Sequence, residues 1–199
     1  MKHYILLFFI LINFKSFSQT DITKVNFNYK ISEVLGDLNK DKLLDKVIVS
    51  KDTLNENAPY KLEVFFQDLK GQFKLFIIST KIILPDYPIG RDGYRNNITL
   101  SEVIINKGIL NINFELIRGH FEYKFRFQNE NFELIGFTEV ISDGQGIIET
   151  IDFNLSTGIR IVKLERYDID KKISNTKKKI VIKPLPKLQD VIPLENELY

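Results

Sequence analysis

Phe121-Glu-Tyr-Lys-Phe-Arg-Phe127 places an aromatic ring at every second position and a charge between each pair. Successive side chains of an extended strand point to opposite faces, so this alternation sets one face in a core and the other in water. The run before it does the same: Ile112, Phe114 and Leu116 alternate with Asn113 and Glu115. Turn-forming residues separate such runs at Asn106-Lys-Gly108, Arg118-Gly119 and Asn129-Glu-Asn131. The pattern predicts strands over 98–105, 110–117, 121–127 and 132–141, joined too tightly for anything but antiparallel pairing. No long 3.6-residue period occurs downstream of residue 18, so no helix is expected.

Working outward, strands are predicted over 46–50, 61–66 and 73–78, the last two flanking an Asp68-Leu-Lys-Gly71 turn. Two more, 147–154 and 158–165, enclose Leu155-Ser-Thr-Gly158. Sixteen Phe and eight Tyr with no Trp fit a core of aromatic and β-branched packing. The expected fold class is mainly β: an antiparallel meander or sandwich-like domain spanning residues 19–170. Residues 84–97 differ: Pro85, Pro88, Gly90, Gly93, Asn96 and Asn97 break all periodicity. They read as a surface crossover between two sheets or as a binding loop, with Tyr87, Arg91, Tyr94 and Arg95 as candidate ligand-binding residues. From Arg160 to Lys187 there are ten basic residues against three acidic ones. Residues 171–199 are therefore expected to form a basic, extended C-terminal arm, with 179–187 as an edge strand or a segment lying on the domain.

The start of the chain reads as an export signal. Met1-Lys2-His3 is a short basic region, Tyr4 to Phe14 is apolar, and Ser16-Phe17-Ser18 offers small residues for cleavage after Ser18. The apolar run falls well short of the roughly 20 residues of a spanning helix, so no membrane anchor is expected after cleavage. The expected location is periplasmic or extracellular. Loss of Lys2 and Lys15 turns 28 basic and 26 acidic residues into 26 of each. A neutral exported chain is not expected to bind nucleic acid. The absence of Cys excludes both disulfides and thiol chemistry.

Gly36-Asp-Leu-Asn-Lys-Asp-Lys-Leu-Leu-Asp45 is the one motif that carries chemistry. Asp37, Asn39, Asp41 and Asp45 put oxygen side chains at loop positions one, three, five and nine, and the Leu43 carbonyl falls at position seven. Calcium takes six to eight oxygens at about 2.3–2.6 Å, which this spacing can converge. The competing reading is an Asp/Asn-rich turn closed by its own side-chain to backbone hydrogen bonds. An EF-hand is excluded, because Lys42 and Ile48 stand where it needs Gly and a bidentate Glu. Three lysines at 40, 42 and 46 predict modest calcium affinity, of roughly 10⁻⁴–10⁻³ M as in extracellular modules.

The stretch Gly-Asp-Leu-Asn-Lys-Asp41 followed by Asp45-Lys-Val-Ile-Val49 resembles the calcium loop of FG-GAP/VCBS-type repeats. Val64-Phe-Phe-Gln-Asp-Leu-Lys-Gly-Gln-Phe-Lys-Leu75 resembles the closing half of such a unit, so the resemblance covers about 33–78. It implies calcium on Asp37, Asn39, Asp41, Asp45 and the Leu43 carbonyl. The chain has Lys42 where that family usually has Gly. A second copy of the loop is missing, and a propeller needs at least four blades of about 40 residues, so a full propeller is not expected. More broadly, the chain resembles small exported proteins of Bacteroidetes-type bacteria.

Catalytic signatures are absent from the sequence: no Gly-x-Ser-x-Gly elbow, no His-Glu-x-x-His and no glycine-rich phosphate loop. His120 is the one histidine after the leader. The expected function is an exported, non-catalytic binding or structural module stabilised by calcium, with a protein or glycan partner. The alternative is a glycan-directed hydrolase built on two carboxylates. N-terminal sequencing of the exported chain should begin at Gln19; an intact Met1 on the mature protein would remove the export reading.

Overall fold

The alternating runs all form strands. The computed structural model describes residues 26–169 and 171–199; the expected leader over 1–18 lies outside the described residues. Eleven strands follow in order: β1 (Tyr29–Gly36), β2 (Asp45–Lys51), β3 (Tyr60–Gln67), β4 (Phe73–Ser79), β5 (Thr99–Asn106), β6 (Ile109–Leu116), β7 (Gly119–Gln128), β8 (Asn131–Ser142), β9 (Ile147–Asn154), β10 (Ile159–Arg166) and β11 (Lys171–Lys179). No helix occurs among the described residues. Strands β1 to β4 make one antiparallel sheet and β5 to β11 a second, each ordered as a simple meander. Neither closes into a barrel or a propeller blade ring, and the fold is mainly β, as the alternation requires.

The two sheets share one core. Val47, Val49, Leu62 and Val64 from the four-stranded sheet are buried with Leu110, Ile112, Phe114, Phe121, Tyr123 and Phe125 from the seven-stranded one. Every ring of the opening heptapeptide up to Phe125 is fully covered, while Glu122, Lys124 and Arg126 keep solvent contact. Phe114 stacks on its cross-strand partner Phe121 with centroids 4.7 Å apart. At one end of the sandwich Phe66 and Phe76 meet Phe127 and Phe132, with centroid distances from 5.0 to 6.1 Å. Full burial of a ring such as Phe132 contributes about 1.5–3 kcal/mol.

Residues 84–97 lie within the connection from β4 to β5, and so carry the chain from one sheet to the other. The edge strand of the basic segment is β11, over 171–179 rather than 179–187; it pairs with β10. The residues after it fill a gap. Strand β9 pairs with β8 only from Gly136 onward, which leaves the first part of β8 open on that side. The tail supplies the missing partner: Leu134 N–H donates to the Pro186 carbonyl (2.8 Å), and Leu188 N–H to that of Phe132 (2.9 Å). Leu188 and Val191 are buried in the core, and the Leu194 amide donates to the Tyr123 hydroxyl at 3.1 Å. Burial raises that phenol to about 12.

Phe132 is fully buried between the two sheets and beside the tail. Phe132→Ala should therefore cost about 3–5 kcal/mol, read as a shift in the urea unfolding midpoint with an unchanged slope.

Candidate functional site

The Asp37–Asp45 loop joins β1 to β2 by a succession of side-chain to backbone bonds. Asp37 accepts from Lys40 N–H (2.6 Å) on one oxygen and from Lys42 N–H (3.0 Å) on the other. Asn39 Oδ1 accepts from Asp41 N–H at 3.0 Å, and Asp41 Oδ1 from Leu43 N–H at 2.8 Å. Lys40 and Lys42 are left-handed, at φ 68° and 70°. A side chain at that φ carries the strain Gly would avoid, of about 1 kcal/mol. Gly36, which opens the loop, has no such freedom to lose; it is needed because a Cβ there would lie 2.5 Å from Ile105 Cγ2 on β5. Leu38, between Asp37 and Asn39, turns into the core and pins the loop to the sandwich.

Asp45 closes the loop from the first position of β2 and is fully buried. Its Oδ2 accepts from Leu38 N–H (2.8 Å) and Asn39 N–H (3.4 Å), and its Oδ1 from Gln67 N–H (3.2 Å) at the end of β3. Burial raises its pKa; the three amides pull it down and the like charge of Asp41 pushes it further up. Among the described residues it has no ion-pair partner. A buried carboxylate without a counter-charge is costly unless a cation or a proton neutralises it.

The side-chain acceptors of the loop are oxygens alone, which suit hard cations and not softer metals. Each carboxylate has about four lone-pair sites, so accepting an amide leaves room for a cation. The carboxylates nevertheless face the loop's own amides: among the described residues no three His, Cys, Asp or Glu side chains converge as a ready-made metal cluster.

The 84–97 segment is held by Asp86. Its carboxylate pairs with Lys51 and accepts from the Tyr60 hydroxyl at 2.7 Å. Burial, then the bond to Asp86, raises the Tyr60 phenol. Further bonds tie the segment to the β2–β3 connection: Tyr87 N–H to Asn57 O (3.1 Å) and Asn57 Nδ2 to Pro88 O (2.9 Å). That connection is organised in turn by buried Asp52, which accepts from Asn26, Leu54 and Asn55 N–H. Burial pushes its pKa up, but the three amides outweigh it and hold the carboxyl below its ordinary range. Of the four candidate ligand residues, Tyr87 and Arg91 come together, the guanidinium 5.6 Å from the ring centre and donating to Thr53 O at 2.6 Å. Tyr94 and Arg95 are exposed.

Two other titratable groups stand apart. Glu139 is half-buried on β8, and Glu149 lies diagonally across from it on β9, since Glu139 opposes Ile151 and Ile141 opposes Glu149. Burial raises the Glu139 pKa, Glu149 raises it further and Arg160 opposes both. His120 is exposed on β7, opposite Glu115.

Family models, curated proteins and solved structures all return no match to this chain. The roles of Asp52 and Asp86 escaped the sequence reading, because each depends on amides and side chains from distant connections. Asp86→Ala removes the partner of both Lys51 and Tyr60 and should cost about 1.5–3 kcal/mol. Hydrogen exchange should then quicken at Gly90, Gly93 and Asn96 while the β6–β8 amides stay protected.

Proposed function

We propose that this chain is an exported, non-catalytic binding or structural module in which the Asp37–Asp45 loop takes a calcium ion. The ligands are the side chains of Asp37, Asn39, Asp41 and Asp45 and the carbonyl of Leu43. The observation that carries the reading is Asp45: a fully buried carboxylate, raised in pKa, beside a second carboxylate and without a cationic partner among the described residues. A divalent cation would neutralise it and join β1, β2 and β3 at one point, since Asp45 already bonds to amides from the loop and from Gln67. The ion would brace the start of β2 rather than sense calcium. The face offered to a protein or glycan is the 84–97 segment, where Tyr87 and Arg91 stack and Tyr94 and Arg95 are exposed.

The glycan-directed hydrolase has one observation in its favour: Glu139 with a raised pKa beside Glu149. A raised carboxyl suits a proton donor. Among the described residues no connection is tied over the pair as Asp86 ties the 84–97 segment, so the module reading is preferred.

Calorimetric titration should give a single weak site at millimolar calcium and a higher Tm, both lost in Asp41→Ala; no heat and no stabilisation would remove the metal. The pH dependence has a definite sign. A raised carboxyl favours the neutral form in the metal-free fold, so that contribution is present at low pH and is lost as pH rises through the Asp45 pKa. Calcium requires the ionised form, so the calcium-dependent gain in Tm should grow over the same rise.

A further inference from the structure

The two sheets end in four edge strands, and three of them are guarded. Strand β11 carries Lys171, Lys172, Lys177, Lys178 and Lys179, all exposed. Lysine on an edge blocks pairing with another chain. Strands β1 and β5 lie against each other where the sheets meet, as the contact of Gly36 with Ile105 shows. Strand β4 has neither device. Its single charge, Lys74, is taken by Asp68 of its own turn at 3.1 Å. Phe73, Leu75, Phe76 and Ile78 are all exposed, Leu75 by 49% and Ile78 by 42%. Among the described residues, no main-chain bond reaches the free side of 73–78.

We propose that β4 is an interface for a second copy of this chain, two β4 strands pairing antiparallel to make one continuous eight-stranded sheet. The register of β4 on β3 singles out the occupant. Leu75 opposes Phe65 and Ile78 opposes Glu63, on the outer face; Ile77 opposes buried Val64, on the inner face. The irregularity between Val64 and Phe65 leaves Phe76 without a β3 partner, and its ring turns inward onto Phe66, Phe127 and Phe132. Leu75, Phe76, Ile77 and Ile78 therefore read outward, inward, inward, outward. That pattern is its own reverse. A two-fold axis between Phe76 and Ile77 sets Leu75 opposite the partner's Ile78 and Phe76 opposite the partner's Ile77, so every side chain meets one on its own face. A regularly alternating peptide would match on one side of the irregularity and clash in register on the other.

Charge agrees with this arrangement. Lys74 falls opposite the partner's Ser79, so no like charges face each other, and each lysine keeps its own Asp68. The pairing also stops at two. It uses the one unguarded edge among the described residues of each copy, and the other edge of the same sheet, β1, is set against β5, so the contact is isologous and closed.

The chain has no Cys, which makes cross-linking a clean test. The full chain, expressed with export and purified, is run by sedimentation velocity over a concentration series. A reversible dimer is expected, lost in Leu75→Lys and in Ile78→Lys and kept in Leu69→Lys, whose side chain sits at the tip of the neighbouring turn. Leu75→Cys with Ile78→Cys in one chain should oxidise to a covalent dimer, because facing residues of paired strands come within about 4.5–5.5 Å. Positions 75 and 78 of one strand lie about 10 Å apart, beyond disulfide reach, and either Cys alone should not link. A monomer at every concentration, including one that captures a different protein through β4, overturns the proposal. So does a dimer indifferent to both lysines, or a double-Cys chain that stays uncrosslinked.

Discussion

The face-to-face contact of two meanders through a layer of aromatic rings is the constraint on which everything else rests. Phe66 and Phe76 from one sheet interlock with Phe127 and Phe132 from the other, and Phe114, Phe121 and Tyr123 continue the layer. With no helix among the described residues and no disulfide, burial of these rings is the main force holding the sheets together. The sheets are unequal, four strands on seven, so part of the larger sheet's inner face needs another cover. The C-terminal segment provides it by pairing with the open start of β8 and burying Leu188 and Val191.

Around that frame three aspartates fasten the connections. Asp45 ties the β1–β2 loop to the end of β3, Asp52 organises the β2–β3 connection, and Asp86 clamps the crossover onto Lys51 and Tyr60. Their electrostatics differ for physical reasons. Asp52 is buried, yet three amides hold it below its ordinary range. Asp45 is buried with three amides of its own, one of them at 3.4 Å, and Asp41 lies nearby, so desolvation wins. Asp86 has a cation. Of the three, Asp45 alone is left with neither a cation nor enough amide support to offset its burial.

How legible was this from residues alone? Nine of the eleven strands follow from alternating, β-branched or aromatic runs set between turn residues, signals that act within a few residues. The exposure of β11 hid it: with no face in the core, Lys171–Lys179 has no apolar alternation to read. The oxygen spacing of the Asp37–Asp45 loop was visible, as was the role of Lys42 in a conformation that favours Gly. The burial of Asp45 was not visible, since it follows from Gln67 at the far end of β3 and from Leu38 in the core. Of the candidate residues in 84–97, only Tyr87 and Arg91 meet, through a path set by Asp86 and Thr53.

Local chemistry thus determined which segments are strands, where they turn, and which loop carries the spaced oxygen side chains of Asp37, Asn39, Asp41 and Asp45, because strand periodicity and turn preference act within a few residues. Only the tertiary structure decided which sheet each strand joins, which carboxylates lose their water, how the tail completes β8 and which sheet edge stays open. Those outcomes depend on groups tens of residues apart meeting in one place, and on an irregularity in β4 that exists only through its pairing with β3.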